Sequence, residues 1–293
     1  MQTVAWPFLA AEALAAEALT FRELRQFHAA IYPGVWMPPR GVEISAVDRA
    51  RAAWLWSGRR GVLAGSSASA WLGAKWIDPD AAAELVHTNR RPPQLIAVYS
   101  DTLLPGEIQQ LRGLAVTTPA RTAFDLGRRL EFTTAVQRID ALMQATDVKV
   151  DDVHAVMAQH GGGVRGLKQL SAVLELVDGG SESPYESLTR IMLVRNGFFP
   201  RPETQIRVCD DDGFVVARLD MGWPEYRVGV DFDGAHHWTD PRQRSKDVER
   251  YARLPELGWI DVRVTSSMLH NNSRVFLDRV DAALTARGCP RTW

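Results

Sequence analysis

At 293 residues the chain is long for a single hydrophobic core, and a content of 46% hydrophobic and 24% charged residues excludes a disordered or fibrous protein. The net charge of −1 leaves no global basic footprint, so any contact with nucleic acid has to come from local patches. Two distant cysteines, Cys209 and Cys289, match no zinc spacing and fit a reduced, cytoplasmic setting; no apolar run approaches the roughly 20 residues of a membrane helix.

Residues 8–30 read as two short helices. Phe8, Leu9, Ala11, Leu14 and Ala18 suit one apolar stripe, and Thr20 with Glu23 three residues on starts the second helix as a capping box. IYPGVWMPP (31–39) reads as one short strand closed by prolines. Helix, helix, strand is the outline of a winged-helix-like domain over 1–60, with a helical hairpin and flap as the alternative. No third helix is visible between Phe27 and Tyr32. AVDRARAAWLWS (46–57) is a helix whose Arg49 and Arg51, with Arg59 and Arg60 beyond, form a solvated face or touch phosphates. Trp6, Trp36, Trp54, Trp56, Trp71 and Trp76 lie in apolar surroundings and are expected in the core.

Next come strand-like runs, GVLAG, ELVHT, LIAVYS and LAVTT, interrupted by a helix SSASAWLG that Gly73 ends. Thr118 caps a helix with Pro119 at its first position, TPARTAFDLGRRL, and helices continue through AVQRIDALMQA, VDDVHAVMAQH and GLKQLSAVLELV. Residues 61–178 therefore read as a mixed, then helical, domain. DGGSESP (178–184) is the strongest linker, and the main boundary is placed there.

In residues 183–293 the pattern changes. Ser183, Pro184 and Glu186 open a helix that ends at Asn196–Gly197. QIRVCDDDGFVVARLD reads as a hairpin that delivers Asp220 at the end of its second strand, and YRVGVDFDG as the next strand. Along that strand Val228, Val230 and Phe232 share one face, while Gly229, Asp231 and Asp233 share the other. Adjacent strands lie about 4.8 Å apart, so Asp220, Asp231 and Asp233 are expected to meet. Like charges that close call for a cation, and Mg²⁺ or Mn²⁺ suits oxygen donors and phosphodiester hydrolysis. Glycines 229 and 234 leave room for a nucleic-acid backbone. His237 is a candidate for activating water or protonating a leaving oxygen; Arg242, Arg244, Lys246, Arg250 and Arg263 are candidate phosphate contacts. WIDVRVTSS (259–267) is a further strand.

Glu186, Asp220, the D-x-D-G-x-x-H segment at 231–237, R-x-x-D-x-x-R at 244–250 and GW-x-x-x-RVT at 258–265 together resemble the very-short-patch-repair-like branch of the PD-(D/E)xK nuclease superfamily. The resemblance covers Ser183 to Leu269. It implies a restriction-endonuclease-like mixed sheet flanked by helices, metal at Asp220 and at the Asp231 position, and a DNA substrate. Two residues depart from the pattern: aspartate stands at 231 where glutamate is expected, and 233 is not lysine. LTFRELR, YPGVWMPP, SSASAWLGA and GLAVTTPARTAFDLGRR, over residues 8–175, resemble AbiEi-type antitoxins of type IV toxin–antitoxin systems. That resemblance implies a winged-helix DNA-binding domain, an antitoxin domain and a protein partner from such a system. The fold class expected is α/β (α+β). The function expected is metal-dependent DNA endonuclease, with a catalytically degenerate DNA-binding regulator or antitoxin as the alternative.

Overall fold

A computed structural model describes residues 6–38, 41–161, 163–234 and 252–293. The chain divides into two compact units, Met1–Glu175 and Leu176–Trp293, and its content is α+β with mixed sheets. No described helix is long and apolar enough to cross a membrane.

The first unit opens with β1 (Phe8–Leu9), α1 (Ala10–Ala15), α2 (Phe21–Phe27), β2 (Ala29–Tyr32) and β3 (Val35–Met37). The Thr20 hydroxyl accepts the Glu23 N–H at 3.2 Å while Glu23 accepts the Thr20 N–H at 2.7 Å, so the capping box forms as the residue types require. Two expectations are corrected here. IYPGVWMPP is a hairpin of two strands, turning at Pro33–Gly34, and Phe8–Leu9 is a strand that pairs with β3 through Phe8↔Trp36 and Leu9↔Val35. Only the second depends on pairing across about 27 residues, which local periodicity does not report; the hairpin's partners, such as Tyr32↔Val35, are close in sequence. Phe8, Ala13, Leu19 and Leu24 close a small core beneath the two helices. 

The unit continues with α3 (Ala46–Trp56), β4 (Val62–Leu63), α4 (Gly65–Trp71), β5 (Ala83–Val86), β6 (Ile96–Tyr99), β7 (Ile108–Leu111) and β8 (Leu114–Thr117). Four helices follow: α5 (Pro119–Arg129), α6 (Phe132–Ala145), α7 (Val150–His160) and α8 (Leu167–Leu174). The five strands form one sheet in the order β6-β5-β4-β8-β7, parallel at β5/β6 and β4/β8. Strand β7 had no signature because its residues alternate at an exposed edge. Tyr32, Val35, Ala53, Leu63, Leu85 and Val116 share one core, so β2, β3 and α3 pack together with the sheet. Trp71 is buried there as expected, whereas Trp76 is 51% exposed and Trp6 37%. Arg49 also departs from a solvated helix face. It is buried, and its Nε donates to the Pro79 carbonyl at 2.5 Å.

The second unit is built from α9 (Pro184–Arg195), β9 (Glu203–Cys209), β10 (Val215–Trp223), a 3-10 turn (Pro224–Tyr226), β11 (Val228–Asp233), helical residues at 252–256, β12 (Ile260–Thr265), α10 (Ser266–Asn271) and α11 (Ser273–Ala286). The sheet order is β12-β11-β10-β9, with β12 parallel to β11 and the other pairs antiparallel. Met221, Trp223, Val228, Val230, Val262 and Val264 pack against Leu193 of α9 and Phe276 and Val280 of α11. Ile206, Val208, Ala217 and Leu219 gather around Leu254. Strand β10 runs on to Trp223, so Asp220 lies inside a strand and not at its end. Gly222 and Gly229 face each other across the β10/β11 ladder. A Cβ at Gly229 would stand 2.4 Å from Leu219 Cδ1, so this glycine makes room for the protein's own core, not for a nucleic-acid backbone.

Candidate functional site

The regular β10/β11 ladder covers Met221↔Val230, Gly222↔Gly229 and Trp223↔Val228. Beyond it two side chains take over. Asp231 Oδ1 accepts the Asp220 N–H at 2.8 Å, and Asp220 Oδ2 accepts the Phe232 N–H at 2.7 Å. The two carboxylates are thus locked side by side on adjacent strands, and Asp231 is only 2% exposed. Asp233 is set apart. Its carboxylate faces Arg263 of β12 at 3.3 Å, on a guanidinium 45% exposed. Among the described residues no three His, Cys, Asp or Glu side chains gather closely enough to hold a metal ion. Asp233 is thus ion-paired with Arg263, while Asp220 and Asp231 are bonded to each other's strands.

Glu186 joins from α9. It is 7% exposed and accepts the Glu182 N–H at 2.7 Å. This is not a capping box, since the carboxylate reaches past the N-cap Ser183 to the residue before it. Burial pushes the Glu186 carboxyl above the usual range, partly offset by that hydrogen bond. Gln205 of β9 donates from Nε2 to Glu186 Oε2 at 3.4 Å. Its neighbours Thr204 and Ile206 pair with Met221 and Leu219, so Gln205 stands opposite Asp220. The Gln205 Oε1 is buried with no hydrogen-bond partner among the described residues. Sequence reading missed Gln205 for a definite reason: a bulge between Val215 and Ala217 shifts the register by one residue, without which Thr204 would face Asp220. Nearby, Tyr185 of α9 stacks on Phe232 with ring centroids 4.6 Å apart. His237, Arg242, Arg244, Lys246 and Arg250 lie outside the described residues.

In the first unit the polar construction is of another kind. Arg121 of α5 is 1% exposed; it bonds Asp125 at 3.1 Å, Glu107 at 2.5 Å and the Thr102 carbonyl at 3.1 Å. Arg128 bonds Asp125 and Asp101, Arg129 reaches Asp101 at 2.9 Å, and His160 meets Glu107 at 2.6 Å. Every charge in this group has an opposite partner, which burial demands, and the group ties the 100–107 loop to α5 and α7. At the N-terminus, Arg22, Arg25 and Gln26 of α2 are exposed beside Phe21. Arg59 is ion-paired with Glu12 at 2.6 Å on the surface.

The segment from β4 to just past α8 carries a known signature. Residues 62–176 match the AbiEi antitoxin C-terminal domain family. Two curated proteins of Mycobacterium tuberculosis are also similar: uncharacterized protein MT2308 of strain CDC 1551 and uncharacterized protein Rv2248 of strain H37Rv. Each is 29% identical over 157 residues, which is 54% of this chain and 57% of theirs. The matched region spans little more than half the length of these relatives. No solved structure matches the chain.

Proposed function

We propose that the chain is an antitoxin-type, DNA-binding regulator whose middle segment engages a toxin partner and whose N-terminal helices read DNA. The observation that carries this reading is the family match over 62–176. The N-terminal geometry supports it: α1 and α2 are joined by a short turn and followed by a hairpin, and α2 presents Arg22 and Arg25 outward. The test is binding of the full chain to duplex DNA from its own upstream region across a salt series. Phosphate contacts release counterions, so affinity should fall steeply with salt, and losing Arg22 and Arg25 should lower the slope by about 2. Salt-independent binding, or none, would leave a protein-interaction role.

A second reading concerns the second unit alone. The Asp220–Asp231 pair on adjacent strands, with Glu186 and Gln205 beside it, favours a metal-dependent DNA endonuclease. The donor set fits Mg²⁺ or Mn²⁺: carboxylate oxygens suit a hard cation, one or two carboxylates are its usual protein share, and the unpartnered Gln205 Oε1 is a further oxygen. A bound divalent ion would supply an activated water and polarise the phosphodiester. Asp220 and Asp231 would hold it, and Glu186 would position Gln205. Arg263, with His237, Arg242, Arg244, Lys246 and Arg250, remains the candidate set for phosphate and proton transfer. The test is Mg²⁺- and Mn²⁺-dependent cleavage of plasmid DNA with chelator controls. Asp220→Asn and Asp231→Asn should each abolish it; unchanged cleavage in both would remove the pair from any active site.

A further inference from the structure

In the sheet of the first unit, β5 and β6 run parallel, and β4 runs antiparallel to β5 with Val62 opposite Val86. The carboxyl ends of β5 and β6 therefore lie beside the residues that enter β4. A concave pocket of about 470 Å³ opens there, and Arg60, His87, Thr88, Arg90, Ser100 and Asp101 line it. Open α/β sheets place ligands at the carboxyl ends of their strands, and this volume is in the range of small-molecule sites.

The charges in the pocket are unevenly balanced. Arg60 and Arg90 are exposed, and neither has an ion-pair or hydrogen-bond partner among the described residues. Asp101, the single carboxylate of the lining, is held by Arg128 and Arg129 behind it. The pocket thus offers two uncommitted guanidiniums and two hydroxyls. His87 adds a donor: its Nδ1 accepts the Asn89 N–H at 2.9 Å, so the neutral ring carries its proton on Nε2. Partial burial, helped by the charge of Arg60, holds the His87 pKa below the usual value and keeps the ring in that neutral form. Guanidiniums and hydroxyls on one concave wall are the chemistry that recognises phosphate oxygens.

We propose that this pocket binds the phosphate groups of a small phosphorylated ligand of nucleotide size, with Arg60 and Arg90 as the two anchoring cations. The site is independent of the DNA-reading helix α2 and of the Asp220–Asp231 pair. The experiment uses the full chain with inorganic pyrophosphate and with ADP, each compared with sodium chloride at equal ionic strength, read by calorimetric titration and thermal melting. Saturating pyrophosphate or ADP should raise the Tm by roughly 2–4 °C. An Arg60→Ala/Arg90→Ala variant should bind at least about tenfold more weakly, as expected when charge-assisted bonds are lost, while its melting without ligand stays unchanged because both side chains are exposed. A stronger effect of ADP than of pyrophosphate identifies a nucleoside phosphate as the source; equal effects identify the phosphate group alone. No binding of either probe at millimolar concentration, or equal binding by the variant, overturns the proposal. Dependence on Arg60 and Arg90 seen only with duplex DNA also overturns it, and assigns the arginines to a nucleic-acid surface.

Discussion

Asp220 and Asp231 each accept a backbone N–H from the other's strand, at 2.7 Å and 2.8 Å, where the β10/β11 ladder stops. The pair is therefore structural as well as a candidate ligand set, and the two roles separate by substitution. Asp231→Asn retains the Oδ1 acceptor and should keep the fold close to wild-type stability. Asp231→Ala leaves the Asp220 N–H without its acceptor and should cost about 1–3 kcal/mol. Denaturant melts of both variants check this; equal destabilisation would show that the carboxylate's charge, not its acceptor atom, matters to the strand pair.

Glu186 yields a pH prediction. Burial raises its folded pKa above the ordinary 4.5, so the native state holds this proton more tightly than the unfolded chain. The stabilisation from the neutral acid is complete below about pH 4.5 and disappears as pH rises through the raised folded value. Glu186→Gln keeps an oxygen acceptor for the Glu182 N–H and removes the cost of ionising a buried group. The variant should melt near wild type at about pH 4 and progressively above it towards about pH 7. A difference in Tm that does not change with pH would refute the assignment.

The buried network around Arg121 should be among the most sensitive places in the first unit. Arg121→Ala takes one partner each from Glu107 and Asp125, both nearly inaccessible to solvent, and leaves them with His160 and with Arg128 and Arg129. Removing one partner of a buried ion pair typically costs about 3–5 kcal/mol. Arg129, 13% exposed and beside Asp101, is nearer the surface and should cost less when replaced. Equilibrium unfolding followed by tryptophan fluorescence ranks the two; a smaller loss at Arg121 than at Arg129 would contradict the burial argument.

Gly222 and Gly229 set the approach of β10 and β11. At Gly222, with φ +153°, a Cβ would sit 2.2 Å from the Val228 carbonyl oxygen, a main-chain atom. At Gly229 the obstacle is the end of the Leu219 side chain. Gly229→Ala should cost about 1–3 kcal/mol, the usual range for overpacking, and Gly222→Ala more, since backbone yields less than a side-chain tip. Thermal melts of the two variants test the order.

Much of this was legible in the sequence because it is local. Thr20 with Glu23, Thr118 with Pro119 and Ser183 before Pro184 mark helix starts through hydrogen bonds three residues long. The alternation of Val228, Val230 and Phe232 against Asp231 and Asp233 located a strand with acids along one side. The ion pair of Asp233 with Arg263 was not legible, because Arg263 stands in a strand about 30 residues later. Gln205 was hidden by a one-residue bulge, and in a sheet one residue of register changes every cross-strand partner. The same limit hid strand β1 and the inward turn of Arg49. Composition, caps and periodicity determined which segments are helix or strand and which residues carry chemistry. Which of those residues touch was decided by long-range pairing and packing, whose energies no short window of sequence contains.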